Sequence, residues 1–347
     1  MTRHHPPKAS PQPIDILMAS GAIKPLTELE IGDEIIGADS LPRTVIDIRT
    51  SLEDAFEIRP IKGASFVLGA SQSLPLVRST SLELYDLKSI PMWEYLKQSP
   101  HFKGVHLLYR MPVNFSDGPK LPLDPYFLGI LLGDGCFRNT SPSITTPDPE
   151  IVDYCFAMAD QMGLSVRIDQ IPGNQANGYY FSSISGKTNP LTEALRNLGL
   201  YNKSSPEKFI PDIYKRASKK VRQEILAGLL DTDGHMLHKT FEYTTSSKQL
   251  AQDIAFVARS LGLMALPKER TVEGQIYYRF CIYGDFKDIP LRVGRKIPGP
   301  RVQKRHVLRT GFTVHPLPPQ QCLKLVLQGP DSLYLKSDFM VMQGEQP

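Results

Sequence analysis

The sequence predicts an α+β protein in two parts: a mostly β module, then a segment built from two αββαββα-type halves related by pseudo-two-fold symmetry. Two observations predict it. Residues 14–110 read as short runs of alternating apolar residues broken by Gly, Pro and Ser, and residues 126–285 repeat themselves at a spacing of 99. The chain of 347 residues is 41% hydrophobic and 22% charged, which excludes collagenous, coiled-coil and wholly disordered classes and suits two or three domains.

The elements follow in chain order. Residues 1–13 hold four prolines and no apolar periodicity, so they read as a flexible tail. The runs IDILMASG, DEIIGAD, TVIDIR, AFEIRPI, SFVL, LPLV and LELYDL then predict short strands, with a helical turn near 92–98. Residues 111–122 are proline-rich and polar and read as a linker. After it, FLGILLGDG (127–135) matches LAGLLDTDG (226–234), Thr145-Thr146 matches Thr244-Thr245, and Gly163-Leu164 matches Gly262-Leu263. YYFSSISG (179–186) matches YYRFCIYG (277–284) with one residue of drift. The halves are placed at 123–202 and 203–288. Each reads helix, strand pair, helix (150–162 and 247–261), strand pair, and the first closes with a helix at 191–198.

No apolar run of 18 residues exists, and the N-terminal stretch lacks an apolar signal core, so neither a membrane span nor secretion is expected. The expected location is intracellular, cytoplasmic in a prokaryotic or phage host. The four cysteines, Cys136, Cys155, Cys281 and Cys322, lie far apart with no C-x-x-C pair, which fits reduced thiols. Net charge is +4, with basic residues concentrated at 203–222 and 287–309. A solvated face and a phosphate-binding surface both fit those stretches.

The repeat carries the chemistry. Gly129 and Gly133 in the first copy, and Ala227 and Gly228 in the second, allow two helices to pack closely, which brings Asp134 and Asp233 together at the helix C-termini. Like carboxylates there repel one another unless a cation lies between them. Hard divalent cations with oxygen ligands relieve that repulsion, and a pair of them suits in-line phosphodiester hydrolysis. For one copy alone a helix C-cap with an Asp-Gly turn explains the pattern as well. Two copies at matched offsets favour the metal. His235 and His238, three residues apart in a predicted strand, fall on opposite faces and read as exposed or base-contacting rather than as ligands.

LAGLLDTDG and FLGILLGDG, with the lead-in PEKFIPDIYKRASKKVRQEILAGLLDTDG (206–234), resemble the LAGLIDADG homing endonucleases over 123–285. The resemblance implies a monomeric, site-specific endonuclease making double-strand breaks in DNA at a long, imperfectly symmetric target. It implies Mg²⁺, replaceable by Mn²⁺, held by Asp134 and Asp233 with the carbonyls of Gly133 and Thr232. Asp231 has Leu132 as its counterpart, which argues against an essential ligand. The family's saddle-shaped antiparallel sheets lie in the DNA major groove. Alternation then offers Tyr277, Arg279, Cys281 and Tyr283 to DNA in the second copy, and Tyr179, Phe181, Ser183 and Ser185 in the first. Lys268, sharing a face with Arg270, is the candidate that polarises water or phosphate; the first copy has Asp169 at that offset, leaving Arg167 or Lys187. For each basic strand residue a phosphate contact or a solvated edge charge also fits. Arg138 and Lys239, which follow the two motifs, complete the DNA-contact set.

The flanks, 14–110 and 289–343, resemble a Hedgehog/intein β domain, through ASGAIKPLTELEIGDEIIGAD (19–39) and VLRTGFTVHPLPPQQCLKLVLQGPDSLYLKSDFMVM (307–342). Splicing needs a nucleophile, a block histidine and a terminal His-Asn pair. Only Ser10 offers a residual nucleophile, SFVLGASQSLPLV lacks histidine, and Gln343-Gly344 follows FMVM. Glycine has no side chain with which to cleave the chain, so the module reads as splicing-inactive. Two alternatives stand beside the endonuclease: a self-splicing or self-cleaving protein, and a non-cleaving DNA-binding regulator or RNA-splicing cofactor on the same repeat.

Overall fold

The computed structural model describes residues 14–79, 87–115, 118–170, 173, 175–184, 188–299 and 306–347. The tail at 1–13 with Ser10, and Ser185, Lys187, Arg301, Lys304 and Arg305, lie outside the described residues. The chain divides into two compact units, 1–113 with 305–347, and 114–304. No helix among the described residues is long and apolar enough to cross a membrane.

The first unit is antiparallel β. Its longest strands, Pro42–Pro60 and Phe312–Gln328, pair along most of their length, with register shifts at Leu317/Gln320 and Val326/Leu327. Strands Ser73–Arg78, Leu87–Pro91, His106–Tyr109 and Arg309–Thr310 form a second sheet. Alternate residues of these strands, among them Val45, Ile58, Leu74, Leu76, Leu108 and Leu325, meet in one core, as period-2 patterning requires. Gly344 donates to the Ser332 carbonyl, and a Cβ at Gly344 would lie 2.5 Å from the Leu325 carbonyl oxygen. Asparagine therefore does not fit there without a backbone shift.

The second unit holds the repeat. A first motif helix, Pro125–Asp134, is capped by Asp124, whose carboxylate accepts from Phe127 N–H, with Pro125 at its first position. Strands Gly135–Cys136 and Ser143–Thr146, helix Pro149–Gln161, strands Leu164–Asp169 and Asn177–Ser183, and helix Pro190–Asn197 complete the first half. The second half has a motif helix Lys219–Thr232, strands His235–Leu237 and Thr240–Thr245, helix Lys248–Ser260, and strands Met264–Ala265, Lys268–Val272 and Gln275–Tyr283. Both sheets are antiparallel throughout, and the expected helix limits hold to within one residue.

The two motif helices meet through glycines. A Cβ on Gly129 would lie 2.5 Å from the Ile225 carbonyl oxygen, and one on Gly228 would lie 2.3 Å from that of Tyr126. Tyr126 and Ile225, like Gly129 and Gly228, are 99 residues apart, so the contact maps onto itself when the halves are exchanged. That reciprocity is the pseudo-two-fold axis. One boundary differs from the sequence reading: the return to the β module falls at 304/305 and not at 288/289. Ile289 and Val293 are buried in the core of the repeat, and Lys296 bonds the second motif helix, so this stretch folds with the repeat. Residues 114–122 belong to the same unit, where Phe115 stacks on Phe256.

Candidate active site

Asp134 ends the first motif helix and Asp233 caps the second. Asp134 is half-buried and Asp233 is exposed at its edge, yet the protein packed around each carboxyl desolvates it and raises both acids. Asp134 is pushed up to about 7 by burial and then by the charge of Asp233. Asp233 is raised by burial against the attraction of Lys208 and a hydrogen bond from the Tyr243 hydroxyl, 3.3 Å from Oδ2. Position 144, the counterpart of Tyr243, is Ile, and Asp134 accepts no side-chain hydrogen bond among the described residues, so the two carboxyls are not equivalent.

Two buried lysines compensate the helix ends. Lys208 Nζ donates to the carbonyls of Leu132 (2.9 Å), Gly133 (3.0 Å) and Gly135 (2.8 Å). Lys296 Nζ donates to those of Leu230 (3.2 Å), Asp231 (2.7 Å) and Thr232 (2.6 Å). Each ammonium thus occupies the negative end of one motif dipole beside its aspartate, and both lower Asp134 and Asp233. Burial pushes Lys208 down to about 8, and Lys296 down as well. The Ser247 hydroxyl donates to the Lys208 carbonyl (2.6 Å), fixing the first lysine to the second half. Lys296 is carried on a strap: Arg292 pairs with Glu224 (2.8 Å) and Arg295 with Asp148 (2.7 Å).

These lysines escaped the sequence reading, which counted them as two among many basic residues. The signal was available: Lys208 opens KFIP and Lys296 opens KIP, a short echo of the repeat. Lys268, the residue singled out instead, opens an exposed edge strand opposite Arg279, and the cations that act on the two aspartates are Lys208 and Lys296. The Gly133 and Thr232 carbonyls, expected to bind metal, accept from these ammonium groups, which leaves the two carboxylates as the open oxygen donors. Asp231 is fully buried, accepting from the Tyr126 hydroxyl (2.8 Å) and the Arg292 amide (2.7 Å), a structural role.

Among the described residues no cluster of three or more His, Cys, Asp or Glu forms a metal cage. Two carboxylates as the open oxygen donors nevertheless fit Mg²⁺, which keeps most of its waters and takes few protein ligands.

Many cations of the basic stretches are buried or paired within the chain. Lys208, Arg222 and Lys296 are buried, Lys215 pairs with Asp253, Arg216 with Asp212, Arg292 with Glu224 and Arg295 with Asp148. Among the described residues, the buried Lys208, Arg222 and Lys296 interrupt a continuous basic surface along them. The outer faces of the sheets are a better candidate. In the second sheet Phe280 and Ile282 enter the core, while Tyr277, Arg279, Cys281 and Tyr283 face outward, as alternation predicts. In the first sheet the expected face is inverted: Tyr179 and Phe181 are core residues, and Tyr180 and Ser182 lie on the open side. Pairing register explains the slip. Thr145 lies opposite Gly178 where its counterpart Thr244 lies opposite Arg279, so Tyr179 corresponds to Phe280 and not to Tyr277. Arg167 bonds Asp169 (2.6 Å) and stacks on Tyr180, 4.5 Å from its ring centroid. Arg138 and Lys239 are exposed, and Lys239 with His238 forms a left-handed turn, so His238 is not a strand residue.

Residues 209–288 match the family model described as homing endonuclease. The chain is 31% identical over 152 residues to the replicative DNA helicase DnaB of Mycobacterium intracellulare, covering 44% of this chain and 21% of that one. It is 25% identical over 177 residues to the homothallic switching endonuclease of Saccharomyces cerevisiae, covering 46% and 30%. The chain therefore spans under a third of either relative's length. Among solved structures, I-DmoI in complex with DNA and Mn is 14% identical, with a TM-score of 0.34, covering 47% of this chain and 89% of that one. The gp41-1 intein is 14% identical, with a TM-score of 0.21, covering 28% and 63%. The matched residues 209–288 carry the second motif helix, its aspartate and its sheet.

Proposed function

We propose that the protein is a site-specific endonuclease that cuts both strands of DNA with divalent metal, Mg²⁺ or in its place Mn²⁺. It acts as a monomer whose halves address two related half-sites, and it is carried with an intein-like unit that no longer splices. The single observation that carries this reading is the reciprocal glycine crossing, which supports Asp134 and Asp233 meeting at the ends of the two motif helices. Asp134 and Asp233 would hold the cation. When bound it supplies Lewis-acid polarisation of the scissile phosphate and a more acidic water. The residues do the rest: Lys208 and Lys296 keep positive charge at the helix ends, which favours the ionised carboxylates. Tyr243 orients the Asp233 carboxylate through Oδ2. Gly344 and the absence of histidine at 65–77 support the loss of splicing.

The test is a selection on a deep randomised double-stranded library with Mg²⁺ and with EDTA, followed by sequencing of the ends. Recurrent Mg²⁺-dependent ends in a long, imperfectly symmetric site are expected. Asp134→Asn or Asp233→Asn abolishes cutting and spares binding, whereas Lys208→Met or Lys296→Met slows cutting more than it weakens binding. Cutting retained in both aspartate variants would sink the site assignment.

A further inference from the structure

The open face of the second sheet carries one feature that charge neutralisation does not explain. Arg279 Nη2 donates to both oxygens of Glu242, at 2.7 and 2.8 Å, across neighbouring strands. Arg279 is 58% exposed and Glu242 22% exposed, so the pair stands on the surface, and among the described residues no hydrogen bond holds Nη1 or Nε. A phosphate contact gains nothing from a carboxylate at that distance: the pair is neutral as a unit, and Glu242 repels the backbone. A base contact does gain. Holding the fork on one side fixes its plane, and an arginine presented edge-on matches guanine O6 and N7 in the major groove. The register places Lys268 and Thr244 on either side of Arg279, in one row across the sheet. The equivalent row of the first sheet reads Thr145, Gly178 and Asp169, with Ser143 in the place of Glu242. Nothing in that row has a guanidinium to present.

We propose that Arg279, positioned by Glu242, reads a guanine in the half-site bound by the second sheet, and that the first sheet has no such contact at the related position. The inference rests on the endonuclease reading and names the base class that one residue recognises.

The experiment is a binding selection on randomised duplex DNA with the full chain in EDTA, run in parallel for wild type, Arg279→Ala, Arg279→Lys and Glu242→Gln. The wild type enriches one long site with a fixed guanine in one half. Arg279→Ala and Arg279→Lys lose roughly tenfold of the preference at that position and leave the other positions unchanged. Glu242→Gln lowers the same preference while raising affinity for unrelated DNA, opposite signs that a merely structural role does not give. If Arg279→Ala weakens all sequences alike, Arg279 is a phosphate contact and the inference falls while the endonuclease reading stands. An enriched site without a guanine sensitive to Arg279 overturns it equally. If wild type enriches no sequence, the endonuclease reading fails and this inference with it.

Discussion

Asp134 sits in an environment that opposes its charge. Its carboxyl titrates near 7 against 3.8 in an unexceptional setting, because burial and Asp233 both disfavour the charge. The sign of the consequence is fixed by linkage. Between those two pH values the metal-free fold binds more protons than the unfolded chain, so stability is lost as pH rises through that window. Thermal melts in EDTA between pH 4 and 8 are expected to fall with pH for wild type and to flatten for Asp134→Asn. Mg²⁺ restores the wild type at pH 8 and leaves the variant little changed. Equal slopes in the two proteins would show that Asp134 is not the strained group. Both aspartates were legible in the sequence, because a matched pair at one offset is a pattern. Lys208 and Lys296 were not, because a lysine in a charged stretch looks the same whether it caps a helix or faces water. Only the carbonyls gathered around Nζ distinguish the two.

The crossing of the motif helices decides at the level of elements whether a site exists. Gly129 and Gly228 let one backbone touch the other, and a methyl at Gly228 would meet the Tyr126 carbonyl oxygen at 2.3 Å. Gly228→Ala is therefore expected to cost about 2 kcal/mol, in the range of overpacked cores, and to reduce cutting by moving the two aspartates apart. Chemical denaturation and a cleavage assay check it together; an unchanged midpoint would mean that the helices are not in backbone contact. Helix limits were readable because caps and prolines mark them, as Asp124-Pro125 and Asn189-Pro190 do. The outward face of Asn177–Ser183 was not. Matching its tyrosines to those of the second copy shifts the strand and exchanges its faces, since side chains alternate with a period of two.

Charge is distributed unevenly over the whole molecule. Residues 114–304 hold 24 Lys and Arg against 20 Asp and Glu, while the remainder holds 16 of each, so the net positive charge belongs to the repeat. Within it, many cations of the two basic stretches serve internal pairs, whereas Lys268 and Arg270 make no ion pair among the described residues. Replacing Lys268 and Arg270 together by Ala is expected to reduce the slope of log affinity against log salt by about 2. Arg295→Ala should lower the melting temperature and leave that slope alone. A salt titration of binding separates them, and an equal change of slope in both would return the basic stretches to the DNA surface.

The sequence by itself determined the two-part organisation, the repeat, the paired aspartates and the glycine at 344, because each is recorded as residue identity at a fixed spacing. Tertiary structure decided which lysines attend the carboxylates, which face of the first sheet is open, and that 289–304 belongs to the repeat. Those are matters of who meets whom across long stretches of chain. Hydrogen-bond register and the burial of an ammonium group among carbonyls set them, and neither leaves a local periodicity to read.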